Sequence, residues 1–359
     1  MVDAVEPTSL HTEAVDHHHR VATRDDREPM LSVRNLKVEF PTDDGVVHAV
    51  DDVSFDLAAE ETLGIVGESG SGKSVTSMAI LGLLPKTAQV EGEVIFGGRN
   101  LVGLKQKELR EVRGDRIAMV FQDALAALNP VFTVGAQIGE AISVHHDVSK
   151  EDLDDRVIEL LDLVGIPQPR QRAAQYPHEF SGGMRQRAMI AMAISNDPEV
   201  LIADEPTTAL DVTIQAQVLD VFERIQDRTK TAIILITHDL GVVAGVADRV
   251  LVMYAGRQVE RGDIDQIFYN PRHPYTRGLL ASLPRLDRRY GHERLHRIKG
   301  QPPSLIFLPP GCAFNPRCPY VDITGPCVRD RPELQELGAG QLSACFFAET
   351  LEEREPIDQ

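Results

Sequence analysis

Gly67-Glu68-Ser69-Gly70-Ser71-Gly72-Lys73-Ser74 fills every position of a phosphate-cradling loop. The apolar run Thr62-Leu63-Gly64-Ile65-Val66 precedes it, and a helical pattern from Val75 to Leu84, stopped by Pro85, follows. That order of strand, loop and helix is what the chemistry requires. Glycines let backbone N–H groups wrap a β-phosphate, and the N-terminus of the next helix favours negative charge. In such a loop Lys73 reaches the β- and γ-phosphates and the Ser74 hydroxyl ligates Mg²⁺. Gly67 to Ser74 are therefore the candidate nucleotide-binding residues, and the surrounding fold is expected to be α/β with a parallel sheet.

Downstream, Val200-Leu201-Ile202-Ala203-Asp204-Glu205-Pro206 reads as a buried strand that delivers two carboxylates at its C-terminal end. In a doubly wound sheet that end lies beside the phosphate loop. Asp204 suits a magnesium ligand, direct or through water, and Glu205 suits the base that orients and deprotonates an attacking water.

The bulk properties are compatible with this. A chain of 359 residues, 42% of them hydrophobic, buries a sizeable core and has room for a domain with an appendage. No run reaches the roughly 18 uninterrupted apolar residues that span a bilayer. The polar N-terminus lacks a secretory pattern, so the chain is expected inside the cell, with any membrane attachment made through a partner. With 55 acidic against 37 basic side chains the net charge is −18, which disfavours nucleic-acid partners.

Residues 1–29 read as a disordered acidic tail that includes His17-His18-His19. Leu31 to Phe40 reads as a strand, Thr42 to Gly45 as a turn and Val46 to Leu57 as the return strand. Glu93 to Phe96 and Arg116 to Phe121 are further strands, the latter running into Gln122. From Asp123 to about Asn196 the pattern is helical, with Val134 to Val144, Leu153 to Val164 and Met184 to Ile194 as its clearest pieces. Val200 to Ala203 and Ala232 to Thr237 are unbroken apolar runs, as in parallel strands buried on both faces. Arg249 to Arg261, turning at Ala255-Gly256, is a hairpin. After Asn270 proline becomes frequent and periodicity weakens, which places a domain boundary near 269.

Phe180-Ser181-Gly182-Gly183-Met184-Arg185-Gln186-Arg187 opens a helix shortly before the Asp204 strand. It resembles the signature motif of the ATP-binding cassette family, Leu-Ser-Gly-Gly-Gln, with phenylalanine and methionine replacing the outer residues. Gln122 resembles the family's Q-loop, Thr208-Ala209-Leu210-Asp211 its D-loop and His238 its switch histidine, so the resemblance covers residues 31–265. It implies a P-loop NTPase with a parallel core sheet, an antiparallel β subdomain and a helical subdomain at about 123–196, together forming an ATP-binding domain over 30–268. It further implies that Ser181, Gly182 and Gly183 meet the γ-phosphate of nucleotide held by an opposite subunit, with Asp211 reaching across the dimer. Gln122 would sense Mg²⁺, His238 would contact the γ-phosphate and Phe40 would stack on adenine. His48 is the alternative stacking residue, because the turn at 42–45 is longer than usual.

The stretches Asp123 to Val131, Asn270 to Pro284 and Gly311 to Pro319 look like those of the oligopeptide/dipeptide importer ATPases, particularly the D-type subunit. This implies ATP-driven peptide uptake at the cytoplasmic face of the membrane. The implied partners are two permease subunits, a paralogous F-type ATPase as dimer mate and an extracytoplasmic peptide-binding protein. Nickel and short sugars are alternative cargoes within the class, and a soluble cassette ATPase is the reading outside it.

Cys312, Cys318, Cys327 and Cys345 fall in the 269–359 stretch. In a reducing compartment four clustered thiols suit a Cys₄ metal site better than disulfides. The absence of a Cys-x-x-Cys pair counts against a zinc ribbon, and structural free thiols remain open. The family resemblance implies a [4Fe–4S] cluster here. On this reading Cys318→Ser would strip the cluster and weaken the tail while leaving nucleotide binding largely intact.

Overall fold

The computed structural model describes residues 28–208, 210–283 and 297–356. The expected tail over 1–27, His17-His18-His19, Ala209 and Pro284 lie outside the described residues. The chain opens with β1 (Leu31–Thr42), β2 (Gly45–Leu57), β3 (Thr62–Val66), α1 (Lys73–Ile80), β4 (Gln89–Phe96) and β5 (Arg99–Asn100). The middle holds α2 (Gln106–Arg110), β6 (Ile117–Val120), α3 (Ala124–Ala127), α4 (Val134–Ser143), α5 (Lys150–Leu163), α6 (Pro169–Ala173) and α7 (Gly182–Ala193). Then come β7 (Val200–Asp204), α8 (Val212–Thr229), β8 (Ala232–Thr237), α9 (Leu240–Ala244), β9 (Arg249–Tyr254) and β10 (Arg257–Asp263). The last stretch contributes α10 (Ile264–Tyr269), α11 (Pro274–Ala281), β11 (Gln335–Glu336) and β12 (Leu342–Ser343).

Two sheets organise these elements. The smaller is antiparallel, in the order β2-β1-β4-β5, and the larger runs β11-β12-β10-β9-β3-β8-β7-β6. Within the larger sheet β9, β3, β8, β7 and β6 are parallel, so all their C-terminal ends face one way. The solid apolar runs fit this burial, since alternate side chains leave opposite faces of a strand. Val200 and Ile202 of β7, with Ile234 and Ile236 of β8, enter the core shared with the antiparallel sheet. Leu201, Ala203, Ile233 and Leu235 enter the opposite core, with residues of α4, α5, α7 and α8.

The structure differs from, or adds to, the sequence expectations at several points. α1 stops at Ile80 rather than Leu84, because Gly82 turns left-handed at φ +60° and ends the helical path. α8 carries no motif, although Val218, Val221, Phe222 and Ile225 are buried at helical spacing behind the Asp211 cap. The boundary near 269 does not separate two cores. Residues Leu342 and Ser343 pair with Arg261 and Glu260 and so extend the central sheet. Val250, Val252 and Tyr254 of β9 pack in one cluster with Tyr275, Phe314, Cys318 and Cys327.

Candidate functional site

The loop from Gly67 to Gly72 joins β3 to α1 at the C-terminal edge of the parallel sheet. Gly72 sits at φ +101°, and a Cβ there would stand 2.4 Å from the Ala49 carbonyl oxygen. Only glycine fits that approach. Lys73 is buried, and its Nζ donates to the carbonyls of Gly67 at 2.8 Å and Glu68 at 3.0 Å. Burial pulls its pKa down, opposed by the charges of Glu205, Asp204 and Glu68. Ser74 Oγ donates to Asp204 Oδ1 at 3.0 Å, which brings the two expected magnesium-site residues together. Burial raises the Asp204 pKa and Glu205 adds to the effect, while Ser74 and Lys73 work against it. A carboxylate so desolvated, with a hydroxyl beside it, is the all-oxygen donor set that suits a hard divalent cation.

Glu205 is the meeting point of the expected catalytic residues. Gln122 Nε2 donates to its Oε2 at 3.2 Å, and His238 Nδ1 lies 3.3 Å from the same oxygen. Thr208, which opens the D-loop stretch and was given no role of its own, donates to it as well, through Oγ1 at 2.8 Å. Glu205 holds a left-handed backbone at φ +48°, with its N–H donating to the Ile236 carbonyl at 2.9 Å. A cavity of about 750 Å³ opens over these groups, lined by Glu68, Lys73, Ser74, Gln122, Glu205 and His238 among others. Phe40 and Val47 from the antiparallel sheet and Leu279 and Leu305 from the C-terminal stretch form apolar parts of its wall. The His48 ring instead bonds Glu39, with Nδ1 2.8 Å from Oε1.

The signature turn has a different setting. Ser181 caps α7, its side chain accepting from the Met184 N–H at 3.3 Å. Ser181 and Gly182 are exposed, and nothing stands within 4 Å of a Cβ placed on Gly182. Gly183 packs inward, where a Cβ would meet Ile214 Cγ2 at 2.6 Å. Asp211 caps α8 by accepting from the Ile214 N–H at 3.0 Å. The carboxylate expected to reach across a dimer is thus engaged within its own chain.

Cys312, Cys318, Cys327 and Cys345 form no disulfide and line one small cavity with His273, Phe314, Tyr320 and Phe347. Burial pushes the Cys312 thiol up to about 11 and those of Cys318 and Cys345 up to about 12. Backbone N–H groups of Phe314, Tyr320 and Phe347 bond the sulfurs of Cys312, Cys318 and Cys345. The expectation of a ready-made metal set is not met as stated. Among the described residues no group of three or more His, Cys, Asp or Glu side chains is drawn close enough to hold a metal ion.

The C-terminal stretch also reaches the nucleotide site. Tyr275 and Arg317, both from the C-terminal stretch, bond Glu68 inside the phosphate loop. Arg317 and Glu68 are 249 positions apart and belong to no common motif, so only the folded chain reveals the pair.

The ABC transporter family profile matches residues 50–208, and that of the oligopeptide/dipeptide transporter C-terminal region matches residues 259–324. The oligopeptide transport ATP-binding protein OppD of Haemophilus influenzae is 50% identical over 320 residues, 89% of this chain and 98% of that protein. The chain belongs to this family of ABC transporter ATP-binding proteins. The dipeptide transport ATP-binding protein DppD of Bacillus subtilis, another member, is 58% identical over 294 residues, 81% of this chain and 87% of its own. Among solved structures the dimeric bacterial ABC transporter cassette MJ0796 aligns with a TM-score of 0.59 and 26% identity. It covers 66% of this chain and 99% of its own. The family assignment agrees with the cassette architecture, including the parallel core sheet and the antiparallel sheet beside it.

Proposed function

We propose that this chain is the ATP-binding and ATP-hydrolysing subunit of an importer for dipeptides or oligopeptides. The observation that carries the reading is the convergence of Gln122, Thr208 and His238 on one oxygen of Glu205, beside the Ser74–Asp204 pair and the phosphate loop. In this reading Lys73 and the loop N–H groups hold the β- and γ-phosphates, and Phe40 packs against adenine. Glu205 orients a water for in-line attack on the γ-phosphorus and takes its proton, while His238 faces the γ-phosphate. Ser74, Asp204 and Gln122 would hold Mg²⁺, which when bound offsets charge on the phosphate oxygens.

The outward-facing Ser181 and Gly182 support a shared site, in which a mate's nucleotide meets this chain's α7. The family resemblance makes that mate a paralogous F-type subunit and adds two membrane permeases and an extracytoplasmic peptide-binding protein. Among the described residues no helix is long and apolar enough to cross a membrane. Attachment at the cytoplasmic face through the permeases supplies the contact. The test is ATP hydrolysis by the chain assembled with these partners in vesicles. Peptide-loaded binding protein is expected to stimulate it. Stimulation only by nickel- or sugar-loaded protein would reassign the cargo, and full activity of the lone chain would remove the shared site.

The cysteine cavity is proposed to hold a [4Fe–4S] cluster. What supports this reading is that all four cysteines line one cavity and that backbone N–H groups of Phe314, Tyr320 and Phe347 bond three of the sulfurs, which stabilises the thiolates a cluster needs. Anaerobically prepared protein is expected to be brown and to contain iron and sulfide; colourless, iron-free protein would end this assignment.

A further inference from the structure

A free carboxylate at position 68 would repel the triphosphate that the loop must hold. In this chain it is not free. Arg317 grips it with both prongs, Nη1 donating to Oε2 at 2.6 Å and Nη2 to Oε1 at 2.9 Å. The guanidinium is buried at 5% exposure. Its Nε donates to the Lys299 carbonyl at 3.1 Å and its Nη1 also to Tyr254 Oη at 3.3 Å. A second bond reaches the same loop residue, the Glu68 N–H donating to Tyr275 Oη at 2.8 Å. Tyr254, Tyr275 and Phe314 pack tilted and edge-on with centroid separations of 4.6 to 5.4 Å, and the Arg317 guanidinium lies 5.7 and 6.0 Å from the Tyr254 and Phe314 centroids, so both partners of Glu68 belong to one aromatic cluster.

We propose that the C-terminal stretch is a clamp on the phosphate loop. Arg317 is its positioning residue, neutralising Glu68 and holding the loop in its nucleotide-accepting shape, and Tyr275 fixes the backbone of the same residue. The geometry connects two regions of the molecule. Arg317 closes a short 3-10 turn, Asn315–Arg317, and Cys318 follows it directly. Cys312 anchors the other side of that loop, its N–H donating to the Cys327 carbonyl at 2.9 Å. The cysteine loop therefore presents the arginine to the nucleotide site. Lys73 lies within the field of Glu68 as well, so an ungripped Glu68 would compete with phosphate for that lysine. The proposal rests on residues 67–74 being the phosphate cradle and assigns new residues to its upkeep.

The decisive experiment is an equilibrium titration of the full-length chain with ATP, comparing the parent with R317M, E68Q and the double variant. R317M is expected to weaken ATP binding roughly tenfold, as for loss of a two-pronged charged contact. Its KM should rise more than its kcat falls. Adding E68Q to R317M should restore most of the affinity, because the carboxylate that needed neutralising is gone. A purely structural arginine would not be rescued by a change at position 68. Parent-like affinity in R317M, or no recovery in the double variant, overturns the clamp. Should R317M not fold, R317K carries the test: one ammonium replaces the fork, and affinity should fall about threefold. Parent-like affinity there would overturn it equally. K73A serves as the control on the cradle itself, since undiminished ATP binding in K73A would mean that the cradle assignment has failed and not the clamp.

Discussion

Glu205 keeps a left-handed backbone that costs a non-glycine residue about 1–3 kcal/mol. The surroundings over-determine it: its N–H is tied to Ile236 and its Oε2 gathers Gln122, Thr208 and His238. Glu205→Gln preserves the size and most of these contacts but cannot take a proton. Hydrolysis is expected to fall by about a hundredfold or more, with ATP binding kept. ATP-bound pairs of subunits should then accumulate, which sizing by light scattering would detect. Steady-state turnover at the parent rate would remove Glu205 from the role of base. At this scale Lys73, Asp204 and Glu205 were readable as candidates from residue type at the end of a strand or the start of a helix, whereas Gln122 and His238 were singled out only through the family resemblance. The bond from Thr208 to Glu205 was not readable, since a hydroxyl in a turn carries no periodicity.

The parallel strands were legible among the elements because burial on both faces leaves an unbroken apolar run, as in Ala232–Thr237. β11 and β12 were not, because two-residue strands exist only through pairing, β12 with β10 and β11 with β12. α11 shows what such long-range pairing builds. His273 caps it, Nδ1 accepting from the Tyr275 N–H at 3.1 Å, while Glu260 on β10 accepts from the N–H groups of Arg272 and His273. Burial lowers the His273 pKa from 6.5 to about 3 and raises that of Glu260 from 4.5 to about 7. For His273 the unfolded chain binds more protons between pH 3 and 6.5, so its contribution to stability is lost as pH falls through that window. For Glu260 the folded chain binds more protons between pH 4.5 and 7, so stability is lost as pH rises there. The two slopes oppose each other in the overlap. His273→Asn keeps a capping oxygen and removes one slope. Relative to the parent, the variant should gain about 1.4 kcal/mol for each pH unit below 6.5 within the window. Urea midpoints at pH 7 and pH 5 measure this, and an equal difference at both would refute it.

Taken whole, the molecule does not divide where its composition changes. A solved cassette is matched over 99% of its length by 66% of this chain, so the C-terminal stretch is an addition to a fold that stands without it elsewhere. Here the addition has become part of the core. Val250, Val252 and Tyr254 on β9 pack in the cluster that holds Tyr275 and Phe314, and Glu68 is hydrogen-bonded to Tyr275 and Arg317. Each large apolar side chain uncovered costs about 1.5–3 kcal/mol, against a total stability of about 5–15 kcal/mol. A chain ending after Tyr269 would uncover several at once, beside the sheet edge that β12 now pairs. Such a truncation is expected to aggregate, or to lose its cooperative thermal transition, and its soluble fraction should bind ATP more weakly than the full chain. Size-exclusion chromatography with thermal melting and ATP titration decides it. A monodisperse truncated protein with the parent's melting temperature and ATP affinity would mean that the cassette carries its own core and that the C-terminal contacts only decorate it.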